Sequence, residues 1–196
     1  MSFADVPAGK IAAVVTSLEM LARPALRPEA PNAAWTLRHV VTPDLAWFRD
    51  LFRRVGEPWL WSSRLEMDDA TLAAIIHDRS VGVHVLMAGS QEAGLLELDF
   101  RTPHECELSF FGLTLPLLGT GAGRWLMNRA IERAWSRSIR RFWVHTCTFD
   151  HQDALAFYLR SGFRPFRLEI EYADDPRATG LLPRSAAPHV PLIERP

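Results

Sequence analysis

Three glycines at alternate positions, Gly119, Gly121 and Gly123, sit in the stretch LTLPLLGTGAGRWLM between an apolar run and a helical pattern. Glycines so spaced clear side chains from a turn, so that backbone N–H groups can close on an anion at the start of the next helix. A nucleotide P-loop is excluded, because it needs Gly-Lys followed by Ser or Thr, and here Gly123 precedes Arg124 and Trp125. A dinucleotide-binding turn has the form Gly-x-Gly-x-x-Gly, with an acid about twenty residues further on. The spacing here is Gly-x-Gly-x-Gly, and Asp150 comes late for that role. What survives is a cradle for a phosphate or pyrophosphate, against the plain alternative of a tight packing turn.

Two acids stand inside apolar, strand-like runs: Glu97 in GLLELDF and Glu107 in CELSFFGL. An acid in such a place is costly unless it is hydrated, paired or functional. Alternation puts Glu105, Glu107 and Ser109 on one face of their strand, and Glu97 on a face with Leu95 and Asp99. Both glutamates are candidate general bases; an ion pair to one of the many arginines is the alternative for each. His145 titrates in a useful range and is a minor candidate, since a lone strand histidine is more often a hydrogen-bonded core residue. Asp150 and His151 are read as caps of the helix that follows them.

The elements that must position these residues follow from periodicity. Lys10 to Leu21 reads as an extra strand and ARPALRPEAPNAA as an extended connector. AWTLRHVV is a strand. TPDLAWFRDLFRRVG is a helix with Thr42 as N-cap, Pro43 at its first position and Gly56 closing it. EPWLWSSRLEM is an irregular loop and DDATLAAIIHD a second helix. VGVHVLMAG, QEAGLLELDF and HECELSFFGLTL form a three-strand meander. The glycine turn opens a helix from Gly121 to Ser136; RRFWVHTCTF is a strand, DHQDALAFYLRSGF a short helix and RPFRLEIEYADD a last strand. The order predicts a mixed α/β (α+β) sheet. The tail from Pro176, rich in Pro and Ala, is expected to be loosely held.

With these elements in place, CELSFFGLTLPLLGTGAGRWLM resembles the acetyl-CoA site of the GNAT superfamily of acyl-CoA N-acyltransferases, where a strand ends in Arg/Gln-Gly-x-Gly-x-Gly/Ala. Leu118 stands where that family has Arg or Gln, which removes a side chain but no backbone donor. DHQDALAFYLRSGF resembles the family's Asn-x-x-Ala-x-x-x-Tyr-x-x-x-Gly-Phe helix, with Ala154, Tyr158, Gly162 and Phe163 in place and His151 at the Asn position. The resemblance spans roughly Leu95 to Tyr172.

It implies a GNAT fold: a mixed, mostly antiparallel sheet, helices on both faces, and a splayed central strand pair. Acetyl-CoA is implied as cosubstrate. Leu118, Gly119, Thr120, Gly121, Ala122, Gly123 and Arg124 would hold its pyrophosphate. The preceding strand would carry a bulge and part from the RRFWVHTC strand, leaving backbone groups of Leu113, Thr114 and Leu115 for the pantetheine arm and acetyl group. Tyr158 would protonate the leaving thiolate. Glu107 stands where some members carry a catalytic glutamate, and Glu97 is weighted equally with it. Trp59 and Trp61 fall where the family shapes its acceptor pocket and would line a flat or cationic site, burial against the sheet being the alternative. The implied activity is acetyl transfer to a primary amine, of a small molecule or a protein, by direct attack in a ternary complex. A non-catalytic acyl-CoA-binding module on the same fold is the alternative, and a dinucleotide-dependent oxidoreductase a third reading.

Bulk properties bound this reading. The 196 residues, 48% hydrophobic and 23% charged, suit one globular domain. We divide the chain into an N-terminal extension (1–32), the acyltransferase domain (33–175) and the tail (176–196). A net charge of −1 gives no basic field for nucleic acid. Lys10 is the only lysine, a bias that genome composition explains. Cys106 and Cys147 are too few for a disulfide framework and lack metal-ligand spacing, so no metal is expected. No signal peptide or membrane span is legible, so a cytoplasmic protein is expected. A homodimer is compatible with the sequence, with the tail as a surface that could pack on a partner subunit.

Overall fold

The computed structural model describes residues 3–29 and 34–194; the expected boundary between residues 32 and 33 lies outside the described residues. Seven strands form one sheet: β1 (Lys10–Met20), β2 (Trp35–Val40), β3 (Val81–Ala88), β4 (Gln91–Asp99), β5 (Glu105–Leu113), β6 (Arg141–Cys147) and β7 (Arg164–Asp174). Their order is β2-β3-β4-β5-β6-β1-β7. All neighbours are antiparallel except β5 and β6, which run parallel.

The central strands are apolar on both faces because helices cover both. On one side α1 (Leu45–Gly56) and α3 (Asp69–Ile76) seat Phe48, Leu51, Phe52 and Leu72 against Val83, Val85 and Leu95. On the other, α4 (Ala122–Ala134) seats Leu126, Ala130 and Ile131 against Leu86, Leu96 and Leu98. Strand alternation sends Val85 and Leu86, or Leu95 and Leu96, to opposite faces. Each large side chain so enclosed contributes about 1.5–3 kcal/mol.

Local details differ from the sequence expectation for identifiable reasons. The N-cap of α1 is Asp44, not Thr42: its carboxylate accepts the N–H of Trp47, satisfying an orphan donor of the first turn. The expected loop after α1 contains a 3-10 turn (Glu57–Trp59) and a short helix, α2 (Ser63–Glu66). The N-terminal strand is no appendage. β1 pairs with β6 on one side and β7 on the other, with Leu18 and Met20 in the core.

The tail is not loosely held. Leu182, Ala186, Ala187 and Val190 pack with Leu60 in a third apolar cluster. The buried Arg177 ties the tail together, donating to both oxygens of Asp175 and to the carbonyls of Ala186, Ala187 and Val190. Alanine and proline left no periodicity to read, yet their small apolar surfaces suffice once the backbone carbonyls find a buried guanidinium. The apolar side of the tail thus packs on its own chain. β2 and β7 are the two edges of the sheet, and β7 is exposed along its whole length.

Candidate active site

Pairing between β5 and β6 covers three positions, Glu105 with Arg141, Cys106 with Phe142, and Glu107 with Trp143, and then stops. The strands part beyond Glu107, and a cavity of about 810 Å³ runs through the gap from the glycine turn to the residues after α1. β5 also bulges. Glu97 faces Phe110 while Leu98 faces Leu108, which leaves Ser109 as the extra residue. The bulge breaks the alternation that would have kept Ser109 in phase with Glu107.

Past the bulge, the N–H of Thr114 donates to the carbonyl of Ala93 on β4, and its own carbonyl accepts from Leu117. Thr114 is therefore committed to the sheet and its turn. In an antiparallel ladder the adjacent pair is then the non-bonded one, so Leu113, opposite Gly94, and Phe111, opposite Leu96, turn their N–H and C=O toward the gap. Of the three residues expected to offer backbone groups, Leu113 does so; the carbonyl of Leu115 accepts from Leu118 in the 3-10 turn Leu115–Leu117. Phe111 is the member that sequence reasoning missed.

The glycine turn follows. Gly119 (φ 75°) and Gly121 (φ 95°) both occupy the left-handed region, which L side chains adopt at a cost. Thr120 braces the turn, its hydroxyl donating to the Leu117 carbonyl and accepting from the N–H of Ala122. Gly121 caps α4 with no side-chain bond. The amides of Gly123 and Arg124 lie in the first turn and have no intrahelical partner, so they remain available to an anion. A Cβ at Gly123 would make ordinary contacts with Phe157 and Leu113, so the turn's conformational demand falls on Gly119 and Gly121. Leu118, Gly119, Gly121, Gly123 and Arg124 line the cavity, and the Arg124 guanidinium also donates to the carbonyl of Pro28.

Tyr158, on α5 (Ala154–Arg160), lines the same cavity with its ring held among Phe111, Phe157 and Phe163. Burial, with a smaller push from Asp150, drives its pKa far upward, so the phenol stays protonated and has a proton to give. Asp150 does not cap α5. It closes the turn after β6, accepting from the Thr146 hydroxyl (2.6 Å) and the Cys147 N–H (3.0 Å). The residue before α5 is Asp153, whose N–H donates to His151 Nδ1.

The two glutamates separate completely. Glu107 lines the cavity at the vertex of the strand gap. Burial and the neighbouring Asp99 carboxylate push it up to about 7, while Arg64 and Arg101 pull the other way. Asp99 is its cross-strand partner and is itself held by Arg101 through both oxygens. His145 Nδ1 lies 3.9 Å from Glu107 Oε1. Glu97 is fully enclosed and bound to Arg64, with Nη2 to Oε1 at 2.5 Å. Burial pushes its pKa up and the Arg64 charge opposes. Arg64 in turn lies over the Phe110 ring, 5.0 Å from its centroid, and lines the cavity.

Both tryptophans line the cavity. Trp61 wedges over Gly56 and Gly112, where a Cβ would come within 2.8 Å of its atoms, and packs on Phe52 and Phe110. Trp59 meets His151 and, from the tail, His189. Glycine lets the Trp61 indole press against β5, a contact that no local pattern announces. Arg64 and Asp99 were not singled out from the sequence. Arg27 and Arg160 also line the cavity; Arg27 lies in a proline-rich connector without periodicity, and Arg160 reads as an ordinary basic residue in the last turn of a helix.

No group of three or more His, Cys, Asp or Glu side chains suited to a metal ion occurs among the described residues. No helix among them is long and apolar enough to cross a membrane.

A model of the acetyltransferase (GNAT) family matches residues 45–163. No curated protein matches the chain. Among solved structures, a GCN5-related N-acetyltransferase from Sphaerobacter thermophilus is similar over 83% of this chain and 52% of its own, with 13% identity and a TM-score of 0.63. One from Kribbella flavida is similar over 86% and 60%, with 15% identity and a TM-score of 0.53. An aminoglycoside acetyltransferase from an uncultured soil metagenomic sample is similar over 67% and 89%, with 16% identity and a TM-score of 0.51. The chain thus spans between half and two thirds of the first two relatives, and at these identities the likeness is one of fold.

Proposed function

The chain belongs to the acetyltransferase (GNAT) family, and on that premise we propose that it transfers an acetyl group from acetyl-CoA to a primary amine by direct attack in a ternary complex. One observation carries the proposal. A single cavity joins free helix-start amides at the glycine turn to the Glu107 carboxyl through the gap between β5 and β6.

The residues fit the cosubstrate. The amides of Gly123 and Arg124, at the head of the glycine turn's helix, would hold the pyrophosphate, and the backbone of Phe111 and Leu113 would bind the pantetheine arm and offer an N–H to the carbonyl oxygen as it gains charge. The attacking amine must lose a proton, and Glu107, poised near neutrality and half-buried, takes it directly or through water. As the new C–N bond forms and the C–S bond breaks, the electron pair leaves on sulfur, and the Tyr158 hydroxyl supplies the proton that makes the thiol. Glu97 acts through Arg64, fixing the guanidinium at the cavity wall, and so is a positioning residue. The acceptor side carries Glu107, Asp150 and Glu171 beside Trp59 and Trp61, a setting that favours a cationic amine. Neither a small molecule nor a protein amino group is preferred by this lining.

The test is calorimetric titration of acetyl-CoA into the wild type and Gly121→Glu, followed by a screen of amines with thiol release as readout. Binding that Gly121→Glu abolishes, with turnover on an amine, supports the proposal; no binding by folded protein overturns it. Binding with no turnover, unchanged in Tyr158→Phe and Glu107→Gln, would support the acyl-CoA-binding module instead.

For the homodimer we propose β7 as the interface. Leu168, Ile170 and Tyr172 form an exposed apolar row, and a two-fold axis at Leu168 would set Arg167 of one copy opposite Glu169 of the other.

A further inference from the structure

Residues 24–29, which follow β1, are strapped across α4 and the end of α5. Pro24 rests on Gly162 at the end of α5, and Leu26 packs on the main core. Asn128 of α4 then grips Arg27 by its backbone, accepting from its N–H (3.3 Å) and donating to its carbonyl (2.8 Å). Glu29 closes the strap with a two-oxygen bond to Arg129. Arg124 is one helical turn before Asn128 on the same face of α4 and donates to the Pro28 carbonyl.

This arrangement gathers three guanidiniums, Arg27 from the strap, Arg124 from α4 and Arg160 from α5, on the wall of the cavity that begins at the glycine turn. No ion pair to any of the three occurs among the described residues, although most other arginines of the site region hold a carboxylate. Burial lowers the Arg27 pKa, and the charges of Arg124 and Arg160 lower it further. Three like charges held together without a counter-ion are a cost to the folded chain, one that an anion of high charge would reverse. The glycine turn already offers amides to a diphosphate diester. A separate cluster of guanidiniums suits a second, terminal phosphate, whose oxygens accept the fork of an arginine.

We infer that Arg27, Arg124 and Arg160 form a phosphate-monoester site for the 3′-phosphate of CoA, with the strap supplying the residue that lets the protein distinguish CoA from 3′-dephospho-CoA. This rests on the proposed acetyl-CoA reading and adds a specificity element from outside the residues that the family model matches, 45–163, since Arg27 precedes them.

The experiment is calorimetric titration of CoA and of 3′-dephospho-CoA into the wild type, Arg27→Ala, Arg160→Ala and the double variant. The Arg27 side chain is removed without touching the backbone bonds that hold the strap, and Arg160 is exposed, so both variants keep the fold. The wild type is expected to prefer CoA by about tenfold or more, the size of one charge-assisted contact, and the preference should shrink at high salt. Each single variant should cut that ratio and the double variant bring it near one, through weaker CoA binding with dephospho-CoA affinity unchanged. A wild-type ratio near one, or a ratio that survives the double variant, overturns the inference while leaving the acetyl-CoA reading intact. Equal losses for both ligands assign the arginines to the pyrophosphate and also overturn it. Binding of neither ligand by the wild type overturns the acetyl-CoA reading itself.

Discussion

Glu107 and Trp143 are the last residues at which β5 and β6 are paired, so a half-buried carboxyl stands where the sheet opens. Its pKa of about 7 gives the first prediction. The base must be ionised to act, so kcat/KM should rise through an acid limb with a midpoint near 7. Glu107→Gln should abolish that limb and lower kcat by about 10²–10⁴-fold, the usual contribution of general base catalysis. Stability runs the opposite way. Folding raises this carboxyl from 4.5, so its ionisation costs the folded state: stability is full below pH 4.5 and is lost as pH climbs through about 7. Thermal melts at pH 5 and pH 8 should therefore differ less in Glu107→Gln than in the wild type.

Tyr158 stays protonated throughout the accessible pH range because burial opposes the phenolate. Tyr158→Phe should lower kcat by about tenfold or more while leaving acetyl-CoA affinity unchanged, since the lost contact is made as the thiolate departs. An alkaline limb, if one occurs, should persist in the variant. Single-turnover kinetics beside equilibrium binding would check both points.

Gly121 sits at φ 95° at the head of α4. Gly121→Ala should cost about 1–2 kcal/mol through the left-handed backbone alone. It should also weaken acetyl-CoA binding by tilting the amides of the cradle. Calorimetry should show the affinity loss, and a melt the smaller loss of stability.

Arg64 and Glu97 form a pair in which Glu97 is wholly enclosed. Removing one partner, as in Arg64→Ala, leaves a buried charge alone and should destabilise the fold by about 3–5 kcal/mol. The double replacement Arg64→Met with Glu97→Leu should recover most of that loss. Urea unfolding of the single and double variants would measure the coupling.

In the exposed row on β7, Leu168 and Ile170 are the most accessible members, at 69% and 77%. Ile170→Glu should convert a dimer to a monomer in sedimentation velocity without altering acetyl-CoA binding. A wild type that sediments as a monomer at high concentration would refute the β7 interface.

Much of the fold was legible because the signals are local. Period-two runs marked the strands, helical spacing marked α1 and α4, and the glycine turn and the Tyr158 helix each carried a spaced pattern. The bulge at Ser109 was expected only from resemblance, because one extra residue leaves no compositional trace. The strap, the ordered tail and the Trp61 wedge were invisible. Asn128 and Gly112 meet partners far along the chain, and Arg177 meets carbonyls of a tail whose alanines and prolines carry no periodicity.

The sequence by itself determined most of the element types, the glycine turn at the head of a helix and the presence of two costly acids, since each follows from side-chain chemistry and short-range spacing. Only the tertiary structure gave those acids different surroundings. Glu97 and Glu107 are equivalent as letters in apolar strands. What separates them is the Arg64 guanidinium folded against one and the strand gap opening beside the other. A carboxyl's role is set by what surrounds it, and those surroundings come from helices and strands that meet only when the chain is folded.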